Sequence, residues 1–267
     1  FNKAQNKEFS FCVGYKNLDL LNKLLLPISS RVKKEDVLDL PEKIYQKRYF
    51  QLSTEQRRIY NSLRDECLAV LSDGSVVLVT LPIVLTIRLQ QATSGYLPGE
   101  VNSEGEQPMV YTDPKNARLQ CLAEVLEEVH NSAIIWAKWN HDRELIMKML
   151  GDKAVLYDGS VSEEDRDSAK RRFQAGEVQF FVGNPTVAGE GLTLTRAKTV
   201  IYYNNSYKLI ERLQSEDRPH RIGQTDNVLY IDIIAEDTVD EGIVSALVRK
   251  DQIASTILGD RLREWLR

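Results

Sequence analysis

Residues 133–182 read AIIWAKWNHDRELIMKMLGDKAVLYDGSVSEEDRDSAKRRFQAGEVQFFV. Three short apolar runs, 133–137, 154–157 and 178–182, alternate with amphipathic stretches at 143–150 and 162–174. An apolar run of four or five residues without polar alternation is a strand buried on both faces. Such strands alternating with helices predict a parallel sheet covered on both sides. Gly151 and Gly176 lie just past the helical stretches, where a left-handed residue ends a helix. Ser162 is a good N-cap, with Glu163, Glu164 and Asp165 in the first turn and Lys170, Arg171 and Arg172 in the last, matching the helix dipole. That dipole accounts for the basic run, and a DNA-facing patch is the alternative. Further out, the pattern predicts a helix around 119–129, strands at 199–203 and 228–234, and helices at 207–218 and 239–258. Chemistry on such a sheet is expected in the loops after the strands' carboxyl ends.

The first third reads differently. Leu18 to Leu26 is a helix candidate that Pro27 must stop. Gln46 to Gln51 alternates weakly and fits a strand. Ser53 with Gln56 has capping-box spacing, and apolar positions Ile59, Tyr60, Leu63, Cys67, Val70 and Leu71 extend a predicted helix toward Gly74. A second helix is expected from Thr80, with Pro82 in its first turn, to just before Gly95. The Gly-, Pro- and Ser-rich stretch from Tyr96 to Pro114 reads as a loop or short hairpin and a domain boundary. The expectation is an α/β sheet unit at 111–267 preceded by a mainly helical segment at 1–110.

The 267 residues are 42% apolar and 28% charged, ordinary for a chain with a packed core, and the net charge of −4 excludes a uniformly basic nucleic-acid coat but not a local basic groove. Cys12, Cys67 and Cys121 fit neither a disulfide framework nor a zinc site, which points to a reducing cytosol. His130 and His141 have no ligand partners at useful spacing, so no metal site is expected. No secretory signal opens the chain, and the longest apolar run, Val76 to Leu89, is too short to span a bilayer. No membrane association is expected. The start at Phe1 suggests a piece of a longer product. Trp136 lies in an apolar run and reads as core; Trp139 fits core and base stacking equally.

Two segments carry candidate chemistry. Gly183 to Thr195, GNPTVAGEGLTLT, is a glycine-rich loop after a strand, whose backbone N–H groups suit either phosphate or a simple turn. Gln214 to Gln224 reads QSEDRPHRIGQ. Arg218 and Arg221 are three apart, so a helical turn would put both guanidiniums on one face. Two such groups repel unless an anion lies between them, and a fork of planar donors suits phosphate oxygens. The plainer alternative pairs them with Glu216, Asp217 or Asp226. Pro219 between them disfavours helix at Arg218.

QSEDRPHRIGQ resembles motif VI of the Swi/Snf-type ATPases of helicase superfamily two, and the resemblance continues in order along essentially the whole chain. AIIWAKW looks like motif IV, YDGSVSEEDRDSAKRRFQAG like the segment that follows it, NPTVAGEGLTLTRAKTVIYY like motif V, and DTVDEGIVSALVRK like the closing helix. RVKKEDVLDLPEK looks like the end of the first lobe. Asn184-Pro185 gives motif V the look of phage and bacterial members. The resemblance implies the second of two RecA-like lobes, with helices on both sheet faces and ATP and Mg²⁺ between the lobes of the parent protein. It implies Arg218 and Arg221 as arginine fingers, with Gly189, Glu190, Gly191, Gln214 and Asp217 near the nucleotide. Lys138, Gly159, Ser160, Asn184 and Thr186 would contact the DNA backbone, and His220 would support the loop. Arg31, Lys33 and Lys34 would line DNA or face the missing N-terminal lobe. No G-x-x-x-x-G-K-[ST] loop and no Asp-Glu-x-His end occurs, so this chain alone is expected not to hydrolyse ATP. The implied function is a double-stranded DNA translocase, cytoplasmic in a bacterium or in the host of a phage. The alternatives are a strand-separating DNA or RNA helicase, disfavoured by the Arg-Ile-Gly-Gln ending, and a non-catalytic α/β nucleic-acid-binding module.

Overall fold

The computed structural model describes residues 16–30, 37–71, 76–79, 81–99, 108–187 and 191–258. In chain order the helices and strands are α1 (Leu18–Leu25), β1 (Lys43–Phe50), α2 (Thr54–Glu66), β2 (Leu68–Val70), β3 (Val76–Leu78), α3 (Pro82–Thr93), β4 (Tyr96–Pro98), β5 (Met109–Thr112), α4 (Ala117–Glu128), β6 (Ala133–Trp136), α5 (Asn140–Leu150), β7 (Ala154–Tyr157), α6 (Glu163–Ala175), β8 (Phe180–Gly183), β9 (Thr199–Tyr202), α7 (Leu209–Glu216), β10 (Val228–Ala235) and α8 (Val239–Leu258). No described helix is long and apolar enough to cross a membrane.

A six-stranded sheet in the order β1-β10-β9-β6-β8-β7 forms the centre, and every pairing in it is parallel. Side chains of a strand alternate between faces. Ala133 and Ile135 of β6 therefore join one core with Leu122 and Val125 of α4 and Ile146 of α5. Ile134 and Trp136 join the other with Ala169 and Phe173 of α6. This is the expected RecA-like α/β arrangement, with both sheet faces covered. Helix α6 begins at Ser162, whose hydroxyl accepts the Asp165 N–H, and stops at Gly176. There φ is +82° and an added Cβ would strike the Arg196 guanidinium, so a left-handed residue without a side chain is required.

Two features depart from the sequence reading. Strand β1 is longer than expected and is the sheet's edge, paired with β10 from Lys43↔Val228 to Phe50↔Ala235. The sheet thus takes a strand from residues before the expected 110/111 division. Helix α2 has the expected capping box, with Ser53 and Gln56 bonding each other's backbone N–H. It ends at Glu66 and not beyond Leu71, because Cys67 turns left-handed at φ 55° and β2 pairs with β3 as an antiparallel hairpin. Gly74 and Thr80 lie outside the described residues. By contrast, β4 and β5 pair antiparallel, so Tyr96 to Pro114 includes the short hairpin that was one of its two expected forms.

Candidate phosphate-binding site

The loops after β6, β7, β8 and β9 meet at the carboxyl edge of the sheet, held by buried polar groups. Arg143 of α5 is nearly fully buried; it donates Nε to Asp158 at 2.7 Å and Nη1 to the carbonyls of Ala137 at 2.8 Å and Lys138 at 3.0 Å. One side chain thereby joins the turns after β6 and β7. Asn204, after β9, accepts the Lys138 N–H at 2.8 Å and donates to Asp142. Asp142 is fully buried, and burial pushes its pKa up to about 7 against the pull of Arg118 and two hydrogen bonds. Arg118 of α4, also fully buried, donates to the carbonyls of Thr93, Tyr203 and Ile233 and to Asp240.

The expected DNA-contacting residues lie along this edge, and the donors of Lys138, Ser160 and Thr186 are engaged within the protein. Lys138 directs Nζ to Gln90 Oε1 at 3.1 Å over the Trp139 ring, and burial holds its pKa below the ordinary range. Gly159 and Ser160 are exposed, but the Ser160 hydroxyl and N–H both donate to Asp158. Asn184 accepts the Thr186 N–H at 2.9 Å, and the Thr186 hydroxyl donates to Glu211 at 3.3 Å. Gly183 is not a ligand-approach point. It ends β8 beneath Trp136, whose ring atom would lie 2.9 Å from an added Cβ. Trp136 is core, with no exposure.

The arginines occupy a second place. Helix α7 ends at Glu216, so Arg218 and Arg221 do not share a helical face. They converge all the same: Nη1 of each donates to the Leu192 carbonyl at 3.3 Å, and Arg221 also reaches the Thr193 hydroxyl at 3.3 Å. Neither pairs with a carboxylate among the described residues. Glu216 pairs with Arg212 and Lys43, and Asp226 with Lys198. The Arg218 pKa is lowered, first by burial and then by the charge of Arg221. Its Nε is buried without a partner among the described residues. Two guanidiniums sharing one neutral oxygen at the long end of hydrogen-bond range are poorly satisfied cations, and an anion between them would satisfy both.

Pinning points surround this pair. The Leu194 N–H donates to the Arg218 carbonyl at 3.0 Å. His220 Nε2 donates to the Pro41 carbonyl at 2.7 Å, and Gln224 donates to the carbonyls of Thr195 and Ala197. Pro41 and Ala197 precede β1 and β9, so the arginine segment is not gathered with the carboxyl-edge loops. Gln214 is exposed, and Asp217 is half-buried 3.7 Å from Lys43. Gly191 is exposed with φ +73°, beside Leu192. Gly189 and Glu190, like Arg31, Lys33 and Lys34, lie outside the described residues. Sequence reasoning missed the pairing of Glu216 with Lys43 and of Arg212 with Asp232, because these partners are distant in the chain. Among the described residues no group of three His, Cys, Asp or Glu side chains gathers to hold a metal ion.

Residues 115–223 match the family model of the helicase conserved C-terminal domain. The chain is 29% identical over 250 residues to the zebrafish (Danio rerio) chromodomain-helicase-DNA-binding protein 1-like, covering 90% of this chain and 24% of that protein. It is 25% identical over 261 residues to the putative ATP-dependent helicase/translocase YwqA of Bacillus subtilis, covering 91% and 27%. The chain thus spans about a quarter of the curated relatives it matches. Among solved structures, the C-terminal part of the Fun30 ATPase domain aligns with a TM-score of 0.62 at 17% identity, over 82% of this chain and 97% of that one. The Sulfolobus solfataricus SWI2/SNF2 ATPase core, solved with double-stranded DNA, aligns with a TM-score of 0.57 at 24% identity, over 91% and 52%. Both likenesses bear on the fold.

Proposed function

We propose, from the premise that this chain belongs to the Swi/Snf branch of helicase superfamily two and forms its C-terminal ATPase lobe, that it is the arginine-donating half of an ATP-dependent double-stranded DNA translocase. The observation that carries this reading is the convergence of Arg218 and Arg221 on one carbonyl with no carboxylate partner among the described residues. A phosphate oxygen offers a charge-assisted acceptor at shorter range than the Leu192 carbonyl, so the pair would exchange the carbonyl for the triphosphate tail. There the arginines would offset charge developing on the transferred phosphoryl group. ATP and Mg²⁺ would be held chiefly by a partner lobe of the same polypeptide, since the phosphate-cradling loop does not occur in this chain. Duplex DNA would follow the carboxyl-edge loops, where Gly159 and Asn184 would offer backbone and small polar groups that track phosphates without reading sequence, and Thr186 would exchange Glu211 for a phosphate.

The test is the Arg221→Ala substitution in the full-length polypeptide. DNA-stimulated ATP hydrolysis is expected to fall by roughly a thousandfold, the scale of an arginine finger, while duplex binding survives. Near-native turnover would remove the assigned role. The chain by itself is expected to show no turnover, so Mg²⁺-dependent hydrolysis by the pure chain would refute the division of labour between lobes.

A further inference from the structure

The arginine pair has no helix beneath it. Helix α7 stops at Glu216 and Pro219 supplies no N–H, so apart from the Arg218 N–H on the Ser215 carbonyl and the Arg221 N–H on the Pro219 carbonyl the geometry of Arg218 and Arg221 depends on bonds from outside their own segment. Glu216 is the last residue before that segment, and it is fully buried. Its carboxylate takes the Arg212 Nε on one oxygen at 2.8 Å. On the other it takes Lys43 Nζ at 3.2 Å and the Tyr45 hydroxyl at 3.0 Å, both from β1. Its backbone carbonyl takes the Tyr230 hydroxyl at 2.9 Å. Tyr45 stacks on Tyr230 with ring centroids 5.1 Å apart, and Lys43 lies over the same ring. Two more bonds reach the residues just before β1: His220 to the Pro41 carbonyl, and the Glu42 N–H to the Asn227 side chain at 3.0 Å.

We infer that the entry into the edge strand, from Pro41 just before β1 to Tyr45 within it, sets the position of the arginine pair, with Glu216 as the positioning residue that transmits it. Glu216 touches neither nucleotide nor DNA in this account. It fixes where the backbone leaves α7, two residues before Arg218. A carboxylate suits the task, because two oxygens receive three charged or hydroxyl donors from two elements and so fix α7 against β1 in both position and rotation. A placement error of an ångström at a phosphate ligand costs rate without costing affinity. The catalytic consequence rests on the proposed role of Arg218 and Arg221; the mechanical claim does not.

Tyr45→Phe keeps the stacked ring and removes only the hydroxyl on Glu216, and Lys43→Met removes the ammonium. Amide hydrogen exchange on the chain should show the N–H groups of Leu194, Arg218 and Gln224 exchanging about tenfold faster in either variant, with the amides of β6 unchanged. In the full-length polypeptide, kcat for ATP should fall about tenfold while KM and duplex affinity hold, and Lys43→Arg should restore both readouts. Exchange at the three amides unchanged from the unsubstituted chain overturns the inference. So does acceleration spread evenly over the whole sheet with kcat intact, which is the signature of a merely structural network. If the three amides loosen selectively while Arg221→Ala itself leaves turnover intact, the positioning claim stands and the phosphate role of the arginines falls.

Discussion

Buried charges decide what single substitutions do in this protein. Arg118 has no exposed surface and lies over the rings of Phe50 and Tyr203 while donating to three carbonyls, the Thr93 hydroxyl and Asp240. Lysine cannot reproduce that fork. Arg118→Met strands Asp240 in a low-dielectric interior, and urea unfolding should show a loss of about 3–5 kcal/mol. Asp142 responds to pH. Burial raises its pKa to about 7 from the ordinary aspartate value of about 3.9, so the folded state holds the proton more tightly than the unfolded chain does. Its contribution to stability is full below the unfolded value and is lost as pH rises through the folded one, at up to about 1.4 kcal/mol per pH unit. Asp142→Asn removes that dependence. Its stability relative to the unsubstituted chain should therefore climb between pH 4 and pH 7, and unfolding curves parallel across that window would show that Asp142 does not titrate there.

At the scale of elements, local chemistry and distant pairing divide cleanly. Helix α2 is held at its start by the Ser53 hydroxyl, which accepts the Gln56 N–H and donates to Asp113. Ser53→Ala should cost about 1 kcal/mol or somewhat more by thermal unfolding. That start, the caps of α6 and the apolar runs of β6 and β8 were legible in the residues, because each depends on neighbours within a few positions. The end of α2 was not. Val70 and Leu71 match helical spacing, yet in the β2–β3 hairpin Ala69 and Leu71 are buried and Val70 is exposed, a two-residue alternation that a short segment cannot distinguish from a helical one. Strand β1 was only half legible, since its partner β10 lies far along the chain. Within the candidate site, the arginine pair was legible as a chemical type in its segment. The carbonyl on which the pair converges and the Glu216 clamp were not, because Leu192 and Tyr45 are brought there by the fold.

The whole molecule carries a net charge of −4, so the proposed affinity for duplex DNA would rest on the local arrangement of donors on the carboxyl edge and not on overall charge. Salt dependence measures that arrangement, because each phosphate neutralised releases counterions and adds about 0.9 to the slope of log affinity against log salt. Lys138 is the informative cation. Its ammonium sits on Gln90 and the Trp139 ring with its pKa lowered by burial, and it must leave both to meet a phosphate. If the carboxyl edge is the DNA path, the gain at a phosphate exceeds that cost, and Lys138→Ala should reduce the slope for a short duplex by about 0.9 while leaving the overall helix content unchanged by circular dichroism. An unchanged slope with measurable binding would mean that Lys138 stays on Gln90, acting as a brace between α3 and the turn after β6. The DNA path would then rest on the backbone groups around Gly159 and Asn184, whose contacts add little to the slope because they displace no cation from the backbone.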